Sequence, residues 1–335
     1  MEQIIHKQYI YQRKWNNIYI PIYIFDSDGK YKDVIGNRND FPTKIPPDMK
    51  TIPPNIVIKD PTFLMYFTQE NVAHSMCQLI RSIYEYNLYG QGRQILISEC
   101  VIQMPFIYNL INVLLPNANI YYMNNSVLFY AEDVYIPKYI WFTEIISYES
   151  MYDKLYDKNV RILHTDGDIS PEYKDLYEPL KYFDLKIQEL CLTHQLETPV
   201  KNIFMIKSTK TSNSITPGRA IELTDDVDDV LAKNDYKTAL TEIPNTKEAV
   251  IQHILTLRNA ENILTSYGGA NCSNRFFFNP DAIVKVICNT HYASEYNNEW
   301  HPRCSAYRAK QYIFVLDMPN TLSGDDIERV IEYKE

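Results

Sequence analysis

Short apolar runs alternate with segments of helical periodicity between residues 202 and 287, and this alternation constrains the fold more than any other feature. The predicted strands are 202–206, 236–241, 262–265 and 282–287, and the predicted helices are 225–233, 246–259 and a short one at 271–278. Strands that alternate with helices are typical of a parallel sheet with helices on its faces. The region therefore predicts a Rossmann-like α/β domain.

The residues upstream predict a second α/β domain. Apolar side chains recur at helical spacing from 70 to 89, and Gly90 stands where a left-handed C-terminal cap is expected. Strands predicted at 94–98 and 118–123 enclose a helix predicted near 103–115. The alternation of strand and helix thus extends into the first half of the chain.

The segments around this second region have other patterns. Residues 1–60 are rich in Ile, Tyr and Pro, which predicts strands and turns, whereas residues 144–196 are predicted to be mostly helical with a strand at 160–164. The predicted domains are a β-rich extension at 1–60, a Rossmann-like domain at 61–196, and a second Rossmann-like domain at 197–335 that ends in a strand at 311–316 and a helix after Ser323 packing back across the domains.

Length and charge bound the architecture and the partners. A chain of 335 residues exceeds what one hydrophobic core usually serves, which supports two domains. Two such domains favour a ligand cleft between them, because open sheets bind ligands beyond the carboxyl ends of their strands. The net charge of −9 argues against a broad phosphate-binding surface, so nucleic acid is not an expected partner.

Cysteine usage and the N-terminal residues indicate a compartment. The six cysteines are scattered without a C-x-x-C pair, which excludes a zinc ribbon and a dense disulfide framework. No apolar signal core and no membrane span stand out in the sequence, so a cytoplasmic protein is expected. Twenty-eight tyrosines with abundant Ile and Asn are typical of an AT-rich genome, such as that of a large DNA virus, for which the compartment is the host cytoplasm.

Glycine is scarce, and its positions exclude two phosphate-binding motifs. The nine glycines form neither a Walker A loop nor a G-x-G-x-x-G fingerprint. The one adjacent pair, Gly268 and Gly269, follows a predicted strand and precedes a predicted helix, where backbone N–H groups can approach an anion. The predicted anion-binding residues at the carboxyl ends of the strands are Lys207, Ser208, Lys210, Arg219, Ser266, Tyr267, Gly268, Gly269, Ala270, Asn271 and Asn274.

Each of these features also has a structural interpretation. The glycine pair fits a tight strand-to-helix turn, and lysines at a strand end are often solvated surface residues. Glu248 fits the third helical position of a capping box that begins at Asn245, but a carboxylate there is also placed to accept hydrogen bonds from ribose hydroxyls. Both interpretations of Glu248 remain open at this stage.

Several runs of the second half resemble the C-terminal signature of glycosyltransferase family 61. They are Lys247-Glu248-Ala249-Val250-Ile251, Asn259-Ala260-Glu261-Asn262-Ile263-Leu264, Tyr267-Gly268-Gly269-Ala270-Asn271-Cys272-Ser273-Asn274-Arg275-Phe276-Phe277, and the strand 282–287. Upstream, Ile203–Lys207 followed by Arg219 resembles the family's strand with two arginines, and Asn71-Val72-Ala73-His74 resembles its Asn-x-x-His. The resemblance covers roughly residues 65 to 290, by the order of the motifs.

The resemblance implies a GT-B-like fold, with two Rossmann-like domains facing a cleft. It also implies an inverting, metal-independent transfer of a sugar from a nucleotide-sugar donor, usually UDP-linked, to a hydroxyl of a glycan or protein acceptor. No cofactor beyond the donor is implied. Four positions depart from the family. Tyr267 stands at the motif's His, Asn271 stands at its second Gly, and Lys207 stands at the first phosphate-binding Arg, where bidentate geometry is lost. Glu222 stands near where the family's Asn follows the second Arg.

An inverting transfer requires a base that deprotonates the acceptor hydroxyl. His74 is the first candidate, because it stands at the start of a predicted helix at the cleft-facing edge of the first domain. Glu99 and Asp166 each follow a predicted strand and are the alternatives. Lys207, Arg219 and the amides of 268–271 are expected to stabilise the charge that develops on the leaving diphosphate.

Two other functions compete with this one. Asp166-Gly167-Asp168, with His164 beside it, resembles the D-x-D carboxylates that hold a metal-bound nucleotide sugar in GT-A enzymes, although a turn is the more ordinary reason for the pattern. The altered glycine motif also fits a degenerate transferase that binds a nucleotide or glycan without catalysis. The sugar, the acceptor and the oligomeric state are not fixed by these residues.

Overall fold

A computed structural model of the chain describes its strands, helices and many connecting residues. The described residues are 4–12, 22–25, 31–35, 56–67, 72–123, 128–137, 151–157, 160–165, 174–196, 198–206, 221–239, 243–266, 273–289, 310–316 and 321–333. Contacts between Cα atoms divide the chain into two compact units. Unit 1 comprises Met1–Phe142, Glu178–Phe183 and Asn245–Lys247, and unit 2 comprises Thr143–Tyr177, Asp184–Pro244 and Glu248–Glu335. The domain limits predicted at residues 60 and 196 stay predictions.

The described residues form a mixed α/β protein with parallel strands. The six described α-helices are α1 (Val72–Tyr89), α2 (Pro105–Leu114), α3 (Lys174–Thr193), α4 (Val227–Lys233), α5 (Lys247–Asn259) and α6 (Gly324–Glu332). Two 3-10 turns lie at Glu99–Gln103 and Arg275–Phe277. This composition is compatible with the predicted Rossmann-like class.

The strands are numbered along the chain. They are β1 (Ile4–Gln12), β2 (Ile22–Phe25), β3 (Tyr31–Ile35), β4 (Ile56–Ile58), β5 (Thr62–Met65), β6 (Gln94–Ser98), β7 (Ile120–Met123), β8 (Leu128–Tyr135), β9 (Met151–Asp157), β10 (Val160–Thr165), β11 (Asn202–Met205), β12 (Glu222–Leu223), β13 (Tyr236–Thr238), β14 (Asn262–Ser266), β15 (Ile283–Asn289), β16 (Lys310–Leu316) and β17 (Thr321–Leu322).

Unit 1 is built on an eight-stranded mixed sheet in the order β3-β2-β1-β8-β5-β6-β7, with β4 also paired to β8. Strands β5, β6 and β7 are parallel, and β5 is also parallel to β8. The chain therefore runs outward from β5 to β7 and returns to β8 on the other side of β5. This reversal makes a topological switch point between β5 and β8.

The N-terminal strands extend the same sheet. Strand β1 pairs antiparallel with both β2 and β8, and β2 pairs antiparallel with β3. The predicted strands of the first sixty residues are thus present, and they add to the sheet of unit 1. The sequence Asp26-Ser27-Asp28-Gly29, between β2 and β3, predicts a hairpin turn and lies outside the described residues.

The turn after α1 differs from the prediction. Gly90 does not have a left-handed backbone; the positive φ belongs to Gly92, at 80°. A Cβ atom on Gly90 would lie 2.1 Å from the ring of Tyr86, so Gly90 makes room for that ring. The residue after the helix is a glycine because any side chain there would collide with the Tyr86 ring, and not because the backbone is left-handed.

Unit 2 contains a five-stranded, wholly parallel sheet in the order β13-β11-β14-β15-β16. The chain passes from β11 to β13 on one side, then crosses to β14 on the other side and continues outward. Strand order therefore reverses between β11 and β14, in the 2-1-3-4-5 arrangement of doubly wound sheets. The strand and helix alternation predicted between 202 and 287 is confirmed in its order, with ends that shift by up to a few residues.

The stretch before this sheet corrects another prediction. Residues 144–196 were expected to be mostly helical with a strand at 160–164. Strand β10 confirms that strand, but it pairs antiparallel with a second strand, β9, where helix was expected. The strand at 151–157 was missed, although it carries two tyrosines, a methionine and a leucine that suit a pleated surface. The helical prediction holds for α3 alone.

The C-terminal helix packs within unit 2. Ile327 and Val330 of α6 join an apolar cluster with Val227 and Leu231 of α4 and with residues of the sheet. Ser323 caps α6 through a capping box with Asp326.

A buried lysine binds the end of α6. Nζ of Lys285, on β15, donates hydrogen bonds to the carbonyls of Val330, Ile331 and Tyr333, at 2.8, 2.6 and 3.1 Å. The helix predicted after Ser323 is thus confirmed.

Among the described residues, no helix combines the length and the apolar character needed to cross a membrane.

Candidate functional site

The carboxyl ends of β11 and β14 meet at the switch point of unit 2. Met205 and Thr265 are partners in the parallel register, and the hydroxyl of Thr265 donates a hydrogen bond to the Met205 carbonyl at 3.2 Å. After β11 the described residues continue to Ile206. The described stretch that contains β14 ends at Ser266. The segments that follow these two strands therefore start side by side, at the edge where open sheets bind ligands.

Most of the predicted anion-binding residues belong to those two following segments. Ser266 is described and is buried at the end of β14. The others that directly follow the strands lie outside the described residues: Lys207, Ser208, Lys210 and Arg219 after β11, and Tyr267, Gly268, Gly269, Ala270 and Asn271 after β14. Their side-chain positions stay predictions, while the strand ends from which they continue are adjacent.

Buried polar side chains flank the glycine pair on both sides. Ser266 precedes it, and Ser273, Asn274 and Arg275 follow it, and all four are buried. Arg275 is 1% exposed, and its guanidinium carbon lies 4.7 Å from the ring centroid of Phe276. Polar groups are rarely buried without hydrogen bonds or other compensation. These four buried polar side chains lie within ten residues of sequence.

Asn274 is held by a histidine that the sequence analysis did not single out. Nε2 of His253, on α5, lies 2.7 Å from Oδ1 of Asn274, and both side chains are buried. The amide oxygen can only accept, so Nε2 carries the hydrogen. Burial lowers the pKa of His253 from 6.5 to about 4, against the opposing effect of the hydrogen bond to Asn274, and the ring is neutral at pH 7.

A sequence signal for His253 exists in hindsight. It stands three residues after Val250 and four before Leu257, and both of these are on the buried face of α5. A polar residue at an otherwise apolar helical position needs a buried partner. That spacing identifies His253 as buried, but it does not identify Asn274 as the partner.

Glu248 lies at the N-terminal end of α5. The helix begins at Lys247, which makes Glu248 its second residue rather than the third, one position away from the predicted capping box. Its side chain is exposed. A carboxylate in the first turn interacts favourably with the helix dipole, and an exposed one is also accessible to a ligand.

The catalytic candidates His74 and Glu99 belong to the carboxyl edge of the sheet in unit 1. His74 is the third residue of α1, which follows β5 at the switch point, and Glu99 directly follows the next strand, β6. Their side chains are not among the described ones. The hydroxyl of Ser75 donates to Sδ of Met104 at 3.5 Å, which links the first turn of α1 to the residue after the Glu99–Gln103 turn.

Asp166 does not share that sheet. It comes directly after β10, which pairs with β9 in a two-stranded sheet of unit 2. Asp166 and Asp168 both lie outside the described residues, and His164 is described only in its backbone. Within the described part of the chain, no group of three or more His, Cys, Asp or Glu side chains is placed to hold a metal ion. A metal site at Asp166 and Asp168 is therefore untested.

No family model matches the chain, and no curated protein matches it significantly. The resemblance to glycosyltransferase family 61 thus stays an expectation. The motifs and the topology of the two sheets are what a proposal of function has to stand on.

Proposed function

We propose that this protein is a glycosyltransferase of the GT-B type, which transfers a sugar from a nucleotide-sugar donor, most simply a UDP-sugar, to a hydroxyl of a glycan or protein acceptor. One observation carries the proposal. Strands β11 and β14 are neighbours at the reversal of strand order, and the segments with the predicted diphosphate-binding residues begin at their carboxyl ends. Nucleotides bind at this position in doubly wound sheets.

The chemistry of the two segments supports a diphosphate ligand. Lys207 and Arg219 supply positive charge, and the amides around Gly268 and Gly269 supply donors that a side chain does not obstruct. Glu248, in the first turn of α5, is available to accept hydrogen bonds from ribose hydroxyls. Lys207, Arg219 and the amides of 268–271 would stabilise the negative charge that grows on the diphosphate as it leaves.

The proposed transfer inverts the anomeric carbon. The acceptor oxygen attacks that carbon from the face opposite the diphosphate, the bond from the carbon to the diphosphate oxygen breaks, and the acceptor proton passes to a protein base. His74 is the proposed base, and Glu99 and Asp166 are the alternatives. His74 lies in the first turn of α1, the helix that follows β5, and β5 borders the switch point of unit 1. This location supports the choice.

A thermal-shift panel tests the ligand class. The full-length protein is heated with UDP, GDP and CMP and with their sugar conjugates, each with and without EDTA, and donor consumption is followed in parallel. We expect UDP-sugars to raise the melting temperature and to be consumed in the presence of EDTA. A protein that none of the nucleotides stabilises would refute the proposal.

Variants of one arginine locate the phosphate site. Arg219→Ala should weaken UDP binding by about tenfold or more, because a cation that neutralises phosphate is lost. Arg329→Ala is the matched control, since Arg329 is exposed on α6 of the same unit. Equal affinities of the two variants for UDP would place the phosphate elsewhere.

Two alternatives have distinct outcomes in the same panel. If EDTA abolishes turnover while UDP still binds, a metal-dependent, GT-A-type site at Asp166 and Asp168 is favoured. If UDP-sugars bind but none is hydrolysed or transferred, the chain is a non-catalytic nucleotide-binding or glycan-binding protein. The replacement of the family's His by Tyr267 motivates this second possibility.

A further inference from the structure

Strand β7 ends the strand order of the sheet in unit 1, and it has none of the usual protection of a sheet edge. Among the described strands it pairs only with β6. Edge strands are normally protected from further pairing by a charged side chain, a proline or a β-bulge. Residues Ile120–Met123 contain neither a charge nor a proline, and they pair with β6 without a register shift.

The strands at the other ends of the two larger sheets all carry charge. Strand β3 contains Lys32 and Asp33, β13 contains Lys237, and β16 begins at Lys310. The difference extends beyond β7 itself, because residues 100–131 contain no Asp, Glu, Lys or Arg, although these types make up 22% of the chain. An uncharged edge is therefore particular to β7 among these four described strands.

The backbone of β7 presents hydrogen-bonding groups on the side away from β6. The N–H of Ile95 donates to the Asn119 carbonyl at 2.8 Å, and Ile95 stands opposite Ile120 in the parallel register. Successive residues of a strand direct their N–H and C=O groups to alternate sides. The backbone groups of Tyr121 therefore face β6, and those of Ile120 and Tyr122 face outward, one on each side of Tyr121.

The side chains of β7 add an aromatic ring to each face of this edge. Tyr121 is 49% exposed and Tyr122 is 37% exposed, and adjacent residues of a strand point to opposite faces. The Tyr122 ring lies 5.6 Å from that of Tyr108 on α2, which places Tyr122 on the face that carries α2 and Tyr121 on the other face. Nδ2 of Asn119 donates a hydrogen bond to the Tyr121 hydroxyl at 3.1 Å.

Charge identifies a second copy of this chain as the occupant of the edge. Each copy has a net charge of −9, so two copies repel wherever charged surfaces meet. The uncharged edge lets two copies approach without that cost. A closed two-fold contact also needs a surface that complements itself, and the outward groups of Ile120 and Tyr122, which flank Tyr121 symmetrically, meet this requirement.

We propose that β7 pairs antiparallel with β7 of a second copy, about a two-fold axis at Tyr121, so that the two sheets of unit 1 become continuous. In this register Ile120 exchanges both of its backbone hydrogen bonds with Tyr122 of the second copy, and the two Tyr121 side chains lie directly opposite each other. The inference is independent of the proposed function, because it involves neither the nucleotide nor the catalytic base.

Oppositely charged variants of Tyr121 test the proposal by sedimentation velocity of the full-length chain. We expect the wild type to dimerise as its concentration rises. Tyr121→Lys and Tyr121→Glu should each raise the dissociation constant of the dimer about tenfold or more, because like charges then oppose each other across the axis. An equal mixture of the two variants should dimerise again, which also shows that both are folded.

The control places the same charge elsewhere on unit 1. Leu88, on α1, is 47% exposed, and Leu88→Lys should dimerise as the wild type does. A wild type that stays monomeric would overturn the second copy as the occupant and favour a strand of another protein. A Tyr121→Lys variant that dimerises normally, or a mixture that does not recover, would overturn the two-fold pairing at Tyr121.

Amide hydrogen exchange of the wild type tests the register without a substitution. The N–H groups of Ile120 and Tyr122 should exchange more slowly at concentrations at which the dimer forms than at lower ones. The N–H of Tyr121 faces β6 and should exchange equally at both. Exchange at Ile120 and Tyr122 that does not depend on concentration would overturn the pairing.

Discussion

The two sheets use their buried polar groups differently. In unit 1 the buried Glu85 pairs with Arg81 and accepts a hydrogen bond from the hydroxyl of Tyr135 at 2.9 Å, so these groups satisfy one another inside α1 and β8. Burial and the hydrogen bond to Glu85 raise the pKa of Tyr135 above its ordinary value of 10. In unit 2 the buried Ser266, Ser273, Asn274 and Arg275 stand on either side of the glycine pair in sequence, whereas the buried Lys285 binds carbonyls of α6.

The position of these groups relative to the strand ends distinguishes their roles. The carboxylate of Glu85 lies fourteen positions into α1, remote in sequence from the first turn that follows β5. Ser266 directly precedes residues 267–272 and Ser273 directly follows them, and β14, which ends at Ser266, borders the switch point of unit 2. We therefore propose that the contacts of Glu85 in unit 1 serve stability and that the polar residues on either side of the glycine pair in unit 2 serve ligand binding. The catalytic base is proposed separately, at the carboxyl edge of the sheet in unit 1.

The largest expected effect separates catalysis in unit 1 from donor binding in unit 2. His74→Ala should slow sugar transfer by about 10²- to 10⁴-fold, because the acceptor proton loses its base, while the dissociation constant for UDP stays unchanged. Transfer rates are measured with a radiolabelled or coupled assay, and UDP binding by calorimetry. His194→Ala, an exposed histidine just after α3, is the control and should match the wild type. If His74→Ala retains full activity, Glu99 and Asp166 become the candidates to test.

The buried carboxylate of unit 1 tests the stability assignment. Glu85→Ala should lower the free energy of unfolding by about 3 to 5 kcal/mol, since Arg81 and the Tyr135 hydroxyl lose a buried partner. Glu178→Ala is matched to it, because the 3.8 Å ion pair of Glu178 with Lys181 is exposed, and a change below about 1 kcal/mol is expected. Urea unfolding measures both. A large loss of UDP affinity in folded Glu85→Ala would break the distinction between the two clusters.

The buried His253 makes the stability of unit 2 depend on pH. Its pKa is lowered from 6.5 to about 4 in the folded chain, so the unfolded state binds a proton first as the pH falls. The free energy of unfolding is therefore unaffected by this titration above pH 6.5. Between pH 6.5 and pH 4 it falls, by on the order of 3 kcal/mol, because only the unfolded state takes up the proton there.

His253→Leu isolates this contribution, because groups that titrate elsewhere are common to both proteins. The free energy of unfolding of the wild type should fall more steeply from pH 7 to pH 4 than that of the variant, as measured by urea titrations at each pH. Parallel profiles would mean that the imidazole is protonated as readily in the folded chain as in the unfolded one.

The smallest expected effect concerns the C-terminal helix of unit 2. Ser323→Ala should lower the free energy of unfolding by about 1 kcal/mol, because the N–H of Asp326 loses the Ser323 oxygen that caps α6. Ser323→Asp retains an acceptor and should be close to the wild type. UDP affinity is expected to be unaffected in both variants, since the cap stabilises α6 and is not part of the proposed nucleotide site.

Local patterns predicted most helices and strands in both units. Helix α5 and strand β14 were placed to within a residue or two, because their apolar spacing and their flanking polar residues are local signals. Strand β9 was missed because its seven residues alternate weakly between polar and apolar. Gly90 was assigned the wrong role because its close neighbour is a ring, that of Tyr86, and not a backbone strain.

The candidate site was predictable in part for the same reason. The glycine pair and the cations at strand ends are visible as short motifs, whereas the partner of a buried side chain is not. Nothing local to residue 253 or to residue 274 indicates that the two meet. Their contact depends on α5 lying beside the turn after β14, which is a property of the packed unit.

By itself the sequence determined that strands and helices alternate, where α5 and β14 lie, and that the glycine pair follows a strand, because these depend on the periodicity of neighbouring residues. Tertiary structure alone decided that β8 lies between β1 and β5, that β11 lies between β13 and β14, and that His253 meets Asn274. Strand order follows from burial and hydrogen bonding between segments that are distant in sequence, and the residues of a single strand do not specify which strands it pairs with.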